Sequence, residues 1–233
     1  MIVSTGIPFL DGMLGGGLRS GLNILVVGPS GVGKSIFSRQ HLFHGLKSGF
    51  PSIYIAVDEP PEEIRASMSN FNWDIKKFED ENLFRFIDAF TCLLGEFATS
   101  KEKFALRSPT DLNQLSILLL DAQKETGAKE GSRIIFDSLT SYMLKIESAA
   151  VLKFVQVLNA RSKAKGMINF LVMDKGVLDE KTTAALNYLS DGTIELDIMN
   201  GEKFIKIARM RGTKHDLNWH KYEITDTGIK ILS

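Results

Sequence analysis

Short apolar runs rich in Val, Ile and Phe recur along the 233-residue chain, separated by longer segments whose apolar positions return at helical spacing. Runs of this kind suit strands buried on both faces. Their alternation with helical segments predicts a mostly parallel, twisted sheet flanked by helices, an α/β fold. The strand candidates are LNILVV (22–27), SIYIAV (52–57), LFRFID (83–88), RIIFD (133–137) and MINFLVM (167–173). The helix candidates are 35–47 (SIFSRQHLFHGLK), ending before Gly49; 108–125 (SPTDLNQLSILLLDAQKE), opening with Ser, Pro and an early Asp; and 148–166 (SAAVLKFVQVLNARSKAKG).

After Asp191 the pattern changes. TIELDIM (193–199), Asn200-Gly201 and EKFIKIAR (202–209) predict a hairpin with a type I′ turn. HKYEIT (220–225) and GIKIL (228–232) predict a last strand pair, so the sheet gains C-terminal antiparallel hairpin strands at one end. No low-complexity linker, Pro-rich segment or repeat interrupts the chain, and residues 1–233 are expected to form a single domain.

Size and charge narrow the function. A chain of this length buries roughly 70 to 75% of its unfolded surface. Acids and bases balance at 28 each, so there is no global attraction to polyanions, and any nucleic-acid contact must be local. Cys92 is the only cysteine, which excludes an intrachain disulfide and a thiolate zinc site and fits a reducing cytosol. It is expected to be a small buried hydrophobe. MIVSTGIPFLDG lacks the basic start and long apolar run of a signal peptide, and no apolar run approaches membrane-spanning length. A cytoplasmic location without membrane association is the expectation.

The chemistry begins at GPSGVGKS, residues 28–35, which matches G-x-x-x-x-G-K-[ST] between a buried strand and a helix. Gly28, Pro29, Ser30, Gly31, Val32 and Gly33 would curl so that backbone N–H groups face phosphates, at a helix N-terminus that adds its positive end. Lys34 would reach the β and γ phosphates, Ser35 would hold Mg²⁺, and Ile36 adjoins them. Such a site needs a second magnesium-directed acid, and Asp137 closes the strand RIIFD. It also needs a group that orients water. Asp58 and Glu59 follow SIYIAV, where they would project from the carboxyl end of the sheet. The plainer alternatives are that Asp137 caps the turn at Ser138 and that Asp58 and Glu59 cap a helix over PPEEIRASM. His41 and His44 stand three apart on a helix without a third metal ligand in view, so a packing or surface role is expected. No G-x-S-x-G, H-E-x-x-H or paired-carboxylate signature is present.

With these residues in hand, the chain resembles a single-domain member of the KaiC branch of the RecA superfamily, a group that includes many archaeal RadA paralogs. The resemblance runs nearly end to end. It is carried by STGIPFLDGMLGGGLRSGLNILVVGPSGVGKS, VDEP, RIIFDSLTS, LSDGTIEL, RMRGTKHD and GIKIL. It implies a RecA-like P-loop NTPase core that binds ATP with Mg²⁺ and forms a homo-oligomer, usually a hexameric ring, with nucleotide between neighbours. By that resemblance Glu59 and Asp58 match the water-activating acid pair, with Asp58 replacing the family's first Glu. Arg209, Arg211, Thr213 and His215 match the segment of one subunit that touches the nucleotide of the next, with Arg209 replacing a Lys. Met173-Asp174 stands where relatives carry a γ-phosphate-sensing Glu or Gln, and the shorter Asp is expected to fall short of the phosphate.

Three functions follow from this reading. The first is a ring-forming Mg-dependent ATPase whose nucleotide state is a regulatory or signalling output toward an unknown protein partner. The second is an ATP-binding scaffold with negligible hydrolysis. The third is a RadA-like accessory protein that binds DNA. The last is disfavoured, because the segments that would bind single strands, SLTSYMLKIESAA and DKGVLDEKTTAALN, are near neutral and slightly acidic respectively.

Overall fold

A computed structural model describes residues 1–95 and 99–232. The chain opens with a short strand pair, β1 (Ile2–Val3) and β2 (Leu18–Arg19), around helix α1 (Pro8–Met13). Then come β3 (Asn23–Gly28), α2 (Lys34–Lys47), β4 (Ser52–Ala56), α3 (Pro61–Ser69), α4 (Lys76–Asp80) and β5 (Phe84–Asp88). The middle supplies α5 (Leu112–Glu125), β6 (Arg133–Asp137), α6 (Leu139–Met143), α7 (Ser148–Lys165), β7 (Ile168–Asp174) and α8 (Glu180–Leu189). The chain closes with β8 (Gly192–Met199), β9 (Glu202–Met210), β10 (His220–Thr225) and β11 (Gly228–Ile231).

The large sheet has the order β11-β10-β9-β8-β3-β7-β6-β4-β5. From β8 to β5 all neighbours are parallel, and β9, β10 and β11 add antiparallel strands at the other edge. This is the predicted fold class. Alternation along β3 sorts the core into two layers. Ile24 and Val26 pack with Phe37 and Leu42 of α2, while Leu25 and Val27 pack with Leu115 of α5, Val155 of α7 and Leu186 of α8. Each such fully buried aliphatic side chain contributes about 1.5–3 kcal/mol.

All five predicted strands form within one residue of their expected bounds. The hairpin turn also forms as expected: Asn200 and Gly201 both take positive φ, +53° and +79°. One helix start shifts. α5 begins at Leu112 rather than at Ser108, because the Asp111 carboxylate accepts from the Gln114 N–H at 2.8 Å and so caps the helix there. The two candidate DNA-binding segments are partly helical: α6 lies inside the first, and α8 begins inside the second and runs two residues past its end. Cys92 is only half-buried, its Sγ donating to Ala89 O at 3.5 Å beside the α5-side core, so the buried expectation is corrected. Among the described residues, no helix is long and apolar enough to cross a membrane.

His41 has the packing role. It is buried on α2 with Nδ1 on Thr5 O at 3.0 Å, and its Nε2 accepts from Arg133 Nε at 3.1 Å. Burial, with the Arg133 charge adding to it, holds the ring's pKa well below the usual histidine value. Arg133 itself is pushed down to about 10 by burial. This pair ties α2 to the first residue of β6, and thereby aligns the phosphate-loop helix with the strand that carries Asp137.

Candidate functional site

The loops after β3, β4, β6 and β7 open at one edge of the sheet, the carboxyl ends of its parallel strands, where ligands of open α/β folds bind. A cleft of about 400 Å³ lies there, lined by residues that include Ser30, Gly31, Gly33, Lys34, Ser35, Ile36, Asp58, Glu59, Asp137 and Asp174. Gly28, Pro29 and Val32 complete the loop beneath it. Gly33 caps α2 with φ +110°, a conformation other residues rarely adopt, and it turns the chain from loop into helix. The C-terminal hairpins brace the loop from below. Lys203 Nζ donates to Gly31 O at 2.9 Å, and Tyr222 Oη donates to Val32 O at 2.5 Å. Neither brace is visible in the loop motif.

Lys34 is buried, its Nζ shared between Pro29 O and Asp174 Oδ1, each at 2.8 Å. Asp174 is placed by its own N–H, which donates to Thr140 Oγ1 at 2.8 Å. The short Asp therefore reaches the lysine of the phosphate loop.

Asp137 is buried at the end of β6 and accepts from the Tyr54 hydroxyl, while Arg39 Nη2 lies 3.7 Å from its Oδ2. Burial raises its pKa; Arg39, Tyr54 and the Ser35 hydroxyl oppose that rise, and Asp58 adds to it. Asp137 does not cap the next turn: Ser138 does, its Oγ accepting from Ser141 N. Asp58 and Glu59 do not cap a helix either. The N-cap of α3 is Pro60, without a side-chain hydrogen bond, which leaves both acids on the cleft. Asp58 is exposed, and Glu59 Oε2 accepts from Arg39 Nη2 at 3.1 Å.

Arg39 is the residue that the motifs missed. Burial works against its charge, but Tyr54, Asp137 and Glu59 together hold its pKa above the usual arginine value. The available signal was its place four residues after Ser35, on the same face of a helix whose neighbours are buried.

Arg209, Arg211, Thr213 and His215 lie elsewhere. Arg209 Nη2 donates to Asn187 O at 2.6 Å and Ser190 O at 2.8 Å, at the C-terminal end of α8. Arg211 Nη1 lies 3.6 Å from Asp191 Oδ1, and Asp191 in turn accepts from the N–H and Nδ2 of Asn23. Both arginines thus reach over one junction, as period-two spacing predicts. Met210 between them is buried against Gly192. Thr213 is half-buried, and its carbonyl pairs with His215 Nδ1 at 2.9 Å. The junction is at the amino end of β3, whereas the phosphate loop follows its carboxyl end. About 17 Å of strand separates them.

A glycine-rich loop with a buried lysine at a helix N-terminus, facing strand-end carboxylates, gives this chain the P-loop fold of open α/β architecture. Residues 3–233 match the family described as "ATPase: KaiC", and the chain belongs to that family. Among its relatives, a "UPF0273 protein" of Aeropyrum pernix is 37% identical over 98% of this chain and 92% of its own length. Another from Thermotoga maritima is 36% identical over 98% and 95%. The crystal structure of a KaiC-like protein from Pyrococcus horikoshii OT3 aligns with a TM-score of 0.82, covering 100% of this chain and 99% of that one at 23% identity, a likeness of fold.

Proposed function

We propose that this chain binds Mg-ATP in the loop of residues 28–35 and hydrolyses it slowly in the cytoplasm. Its copies associate head to tail into a ring, a hexamer by the family resemblance, and the nucleotide state is the output read by a protein partner. The observation that carries this reading is the separation of the phosphate loop from Arg209 and Arg211 by the length of β3. Cations so placed cannot serve their own loop. Used between copies, two different ends of the molecule make a heterologous interface, which generates rings when the rotation closes.

The donor set suits the ligand. Lys34 would take the β and γ phosphates, while Ser35 and Asp137 would hold Mg²⁺. Two protein ligands suffice, because Mg²⁺ in such sites takes its remaining donors from phosphate and water. Bound Mg²⁺ would neutralise charge that develops on the phosphate oxygens. Glu59, with Asp58 beside it, would orient water, and Arg209, Arg211, Thr213 and His215 would meet the neighbour's nucleotide.

One observation favours a second reading, ATP as a subunit glue with negligible hydrolysis. Both working charges, Lys34 and Glu59, are already ion-paired within the chain. Molecular mass in solution with and without Mg-ATP, followed by phosphate release, tests the proposal. Nucleotide-dependent assembly with release supports the switch, and assembly without release supports the glue. A monomer that shifts labelled single-stranded DNA at moderate salt would replace both with the DNA-handling function.

A further inference from the structure

Burying a guanidinium is costly unless its hydrogen-bonding fork is filled. Arg39 of α2, with 4% of its side chain exposed, fills it from separate elements of the site. Nε donates to the Tyr54 hydroxyl of β4 at 3.0 Å, Nη1 to Ser67 Oγ of α3 at 3.2 Å, and Nη2 to Glu59 Oε2 at 3.1 Å. The Tyr54 hydroxyl spends its own proton on Asp137. Arg39 therefore stands between two carboxylates, Asp137 at the end of β6 and Glu59 three residues beyond the end of its neighbour β4, and Ala56 of β4 and Asp137 are register partners. Without a cation between them, these like charges would repel.

Glu59 is held on one side only. Oε2 is engaged by Arg39, whereas Oε1 makes no hydrogen bond among the described residues, and the side chain is 40% exposed on the cleft. A carboxylate held this way has one oxygen oriented by the guanidinium and the other free to accept a proton from water.

We infer that Arg39 is a positioning residue for hydrolysis: its guanidinium fixes the Glu59 carboxylate relative to the phosphate-loop helix and the Asp137 strand. The inference rests on the reading of Glu59 as the water-directed acid. A lysine would keep the charge, but its single ammonium cannot make the planar contacts to Tyr54, Ser67 and Glu59 together.

The test is a double-mutant cycle on the full chain. Single-turnover phosphate release is measured for wild type, Arg39→Lys, Glu59→Gln and the double variant. Affinity for a fluorescent ATP analogue with Mg²⁺ and thermal melting are followed in parallel. Arg39→Lys should slow release about tenfold or more while changing analogue affinity less than about threefold, because a misplaced reacting group costs rate before binding. The double variant should be no slower than Glu59→Gln alone. The inference is overturned if Arg39→Lys releases phosphate at the wild-type rate, if its loss multiplies with that of Glu59→Gln, or if analogue affinity falls as far as the rate. A Glu59→Gln variant as fast as wild type would instead remove the underlying reading and this one with it. Should Arg39→Lys fail to fold, Ser67→Ala loosens Arg39 from the side away from Glu59 without touching Asp137. That variant should slow wild type and leave Glu59→Gln unchanged, and any other pattern overturns the inference.

Discussion

Lys34 Nζ and Asp174 Oδ1 lie 2.8 Å apart at the centre of the cleft, in an ion pair with side chains only 8% and 27% exposed. The lysine that would meet the phosphates is thus already neutralised by the last residue of β7. A nucleotide bound in the loop as proposed would compete with Asp174 for it.

Replacing that carboxylate should tighten binding. A charge-assisted hydrogen bond contributes about 1.5–3 kcal/mol, so Asp174→Asn, which keeps the shape but not the charge, is expected to bind a fluorescent ATP analogue about tenfold more tightly. Titration of both proteins at one magnesium concentration checks it. Equal or weaker affinity for the variant would mean that Asp174 assists nucleotide binding instead of opposing it.

Arg211 makes the opposite kind of prediction, one about a neighbour. Its side chain is 75% exposed and its contact with Asp191 is long, so Arg211→Ala should change stability by no more than about 1 kcal/mol. Turnover should fall steeply, since an arginine supplied to a phosphoryl-transfer site contributes about 10³ to 10⁵ in rate. Mixing Arg211→Ala with Lys34→Ala should restore part of the activity, because some interfaces then join an intact loop to an intact arginine. If mixtures stay as inactive as either variant alone, the arginine does not act between subunits.

Much of the fold is legible in the sequence, and the reason is local. The glycine-rich loop, the strand ends and the hairpin turn each depend on a few consecutive residues whose backbone demands are strict, so spacing alone places Gly28 to Ser35 between a strand and a helix, Asp137 at a strand end, Glu59 just beyond one, and Asn200-Gly201 in the turn. What stayed hidden depends on long-range packing. Arg39 meets Tyr54, Glu59, Ser67 and Asp137 only once four elements converge, and Lys203 and Tyr222 brace the loop across about 170 and 190 residues of sequence. The α5 start is not legible, because two capping candidates, Ser108 and Asp111, lie a few residues apart, and only the tertiary path of residues 108–111 chooses between them.

The contact between α2 and β6 predicts a steric defect. A Cβ on Gly45 would sit 1.5 Å from Arg133 Nη1, and Arg133 cannot readily move, since His41 and Ser4 O hold its other nitrogens. Gly45→Ala, although in the last turn of a helix where alanine is intrinsically preferred, should therefore destabilise by about 1–3 kcal/mol, the usual range for overpacking. Urea unfolding should show a lower midpoint with an unchanged slope. A stabilised Gly45→Ala would show that helix propensity outweighs the clash.

His41, packed against Arg133, sets an acid limit on stability. His41 is kept neutral in the folded chain by burial first and by the Arg133 charge second, whereas in the unfolded chain it titrates near 6.5. Below that pH the unfolded state binds a proton that the folded state refuses, so the stability that neutral His41 supports is fully present above about pH 6.5 and is lost as the pH falls toward the depressed folded value. The slope from one such group approaches about 1.4 kcal/mol per pH unit. His44, half-buried and shifted in the same direction, adds to it. Arg133 does not contribute in this window, because its folded pKa of about 10 leaves it protonated in both states. Chemical unfolding at pH 7.5 and 5.5 should show the loss, and His41→Gln, which retains an acceptor for Arg133, should flatten the slope while lowering stability at pH 7.5. An unchanged slope in His41→Gln would place the acid sensitivity in other groups.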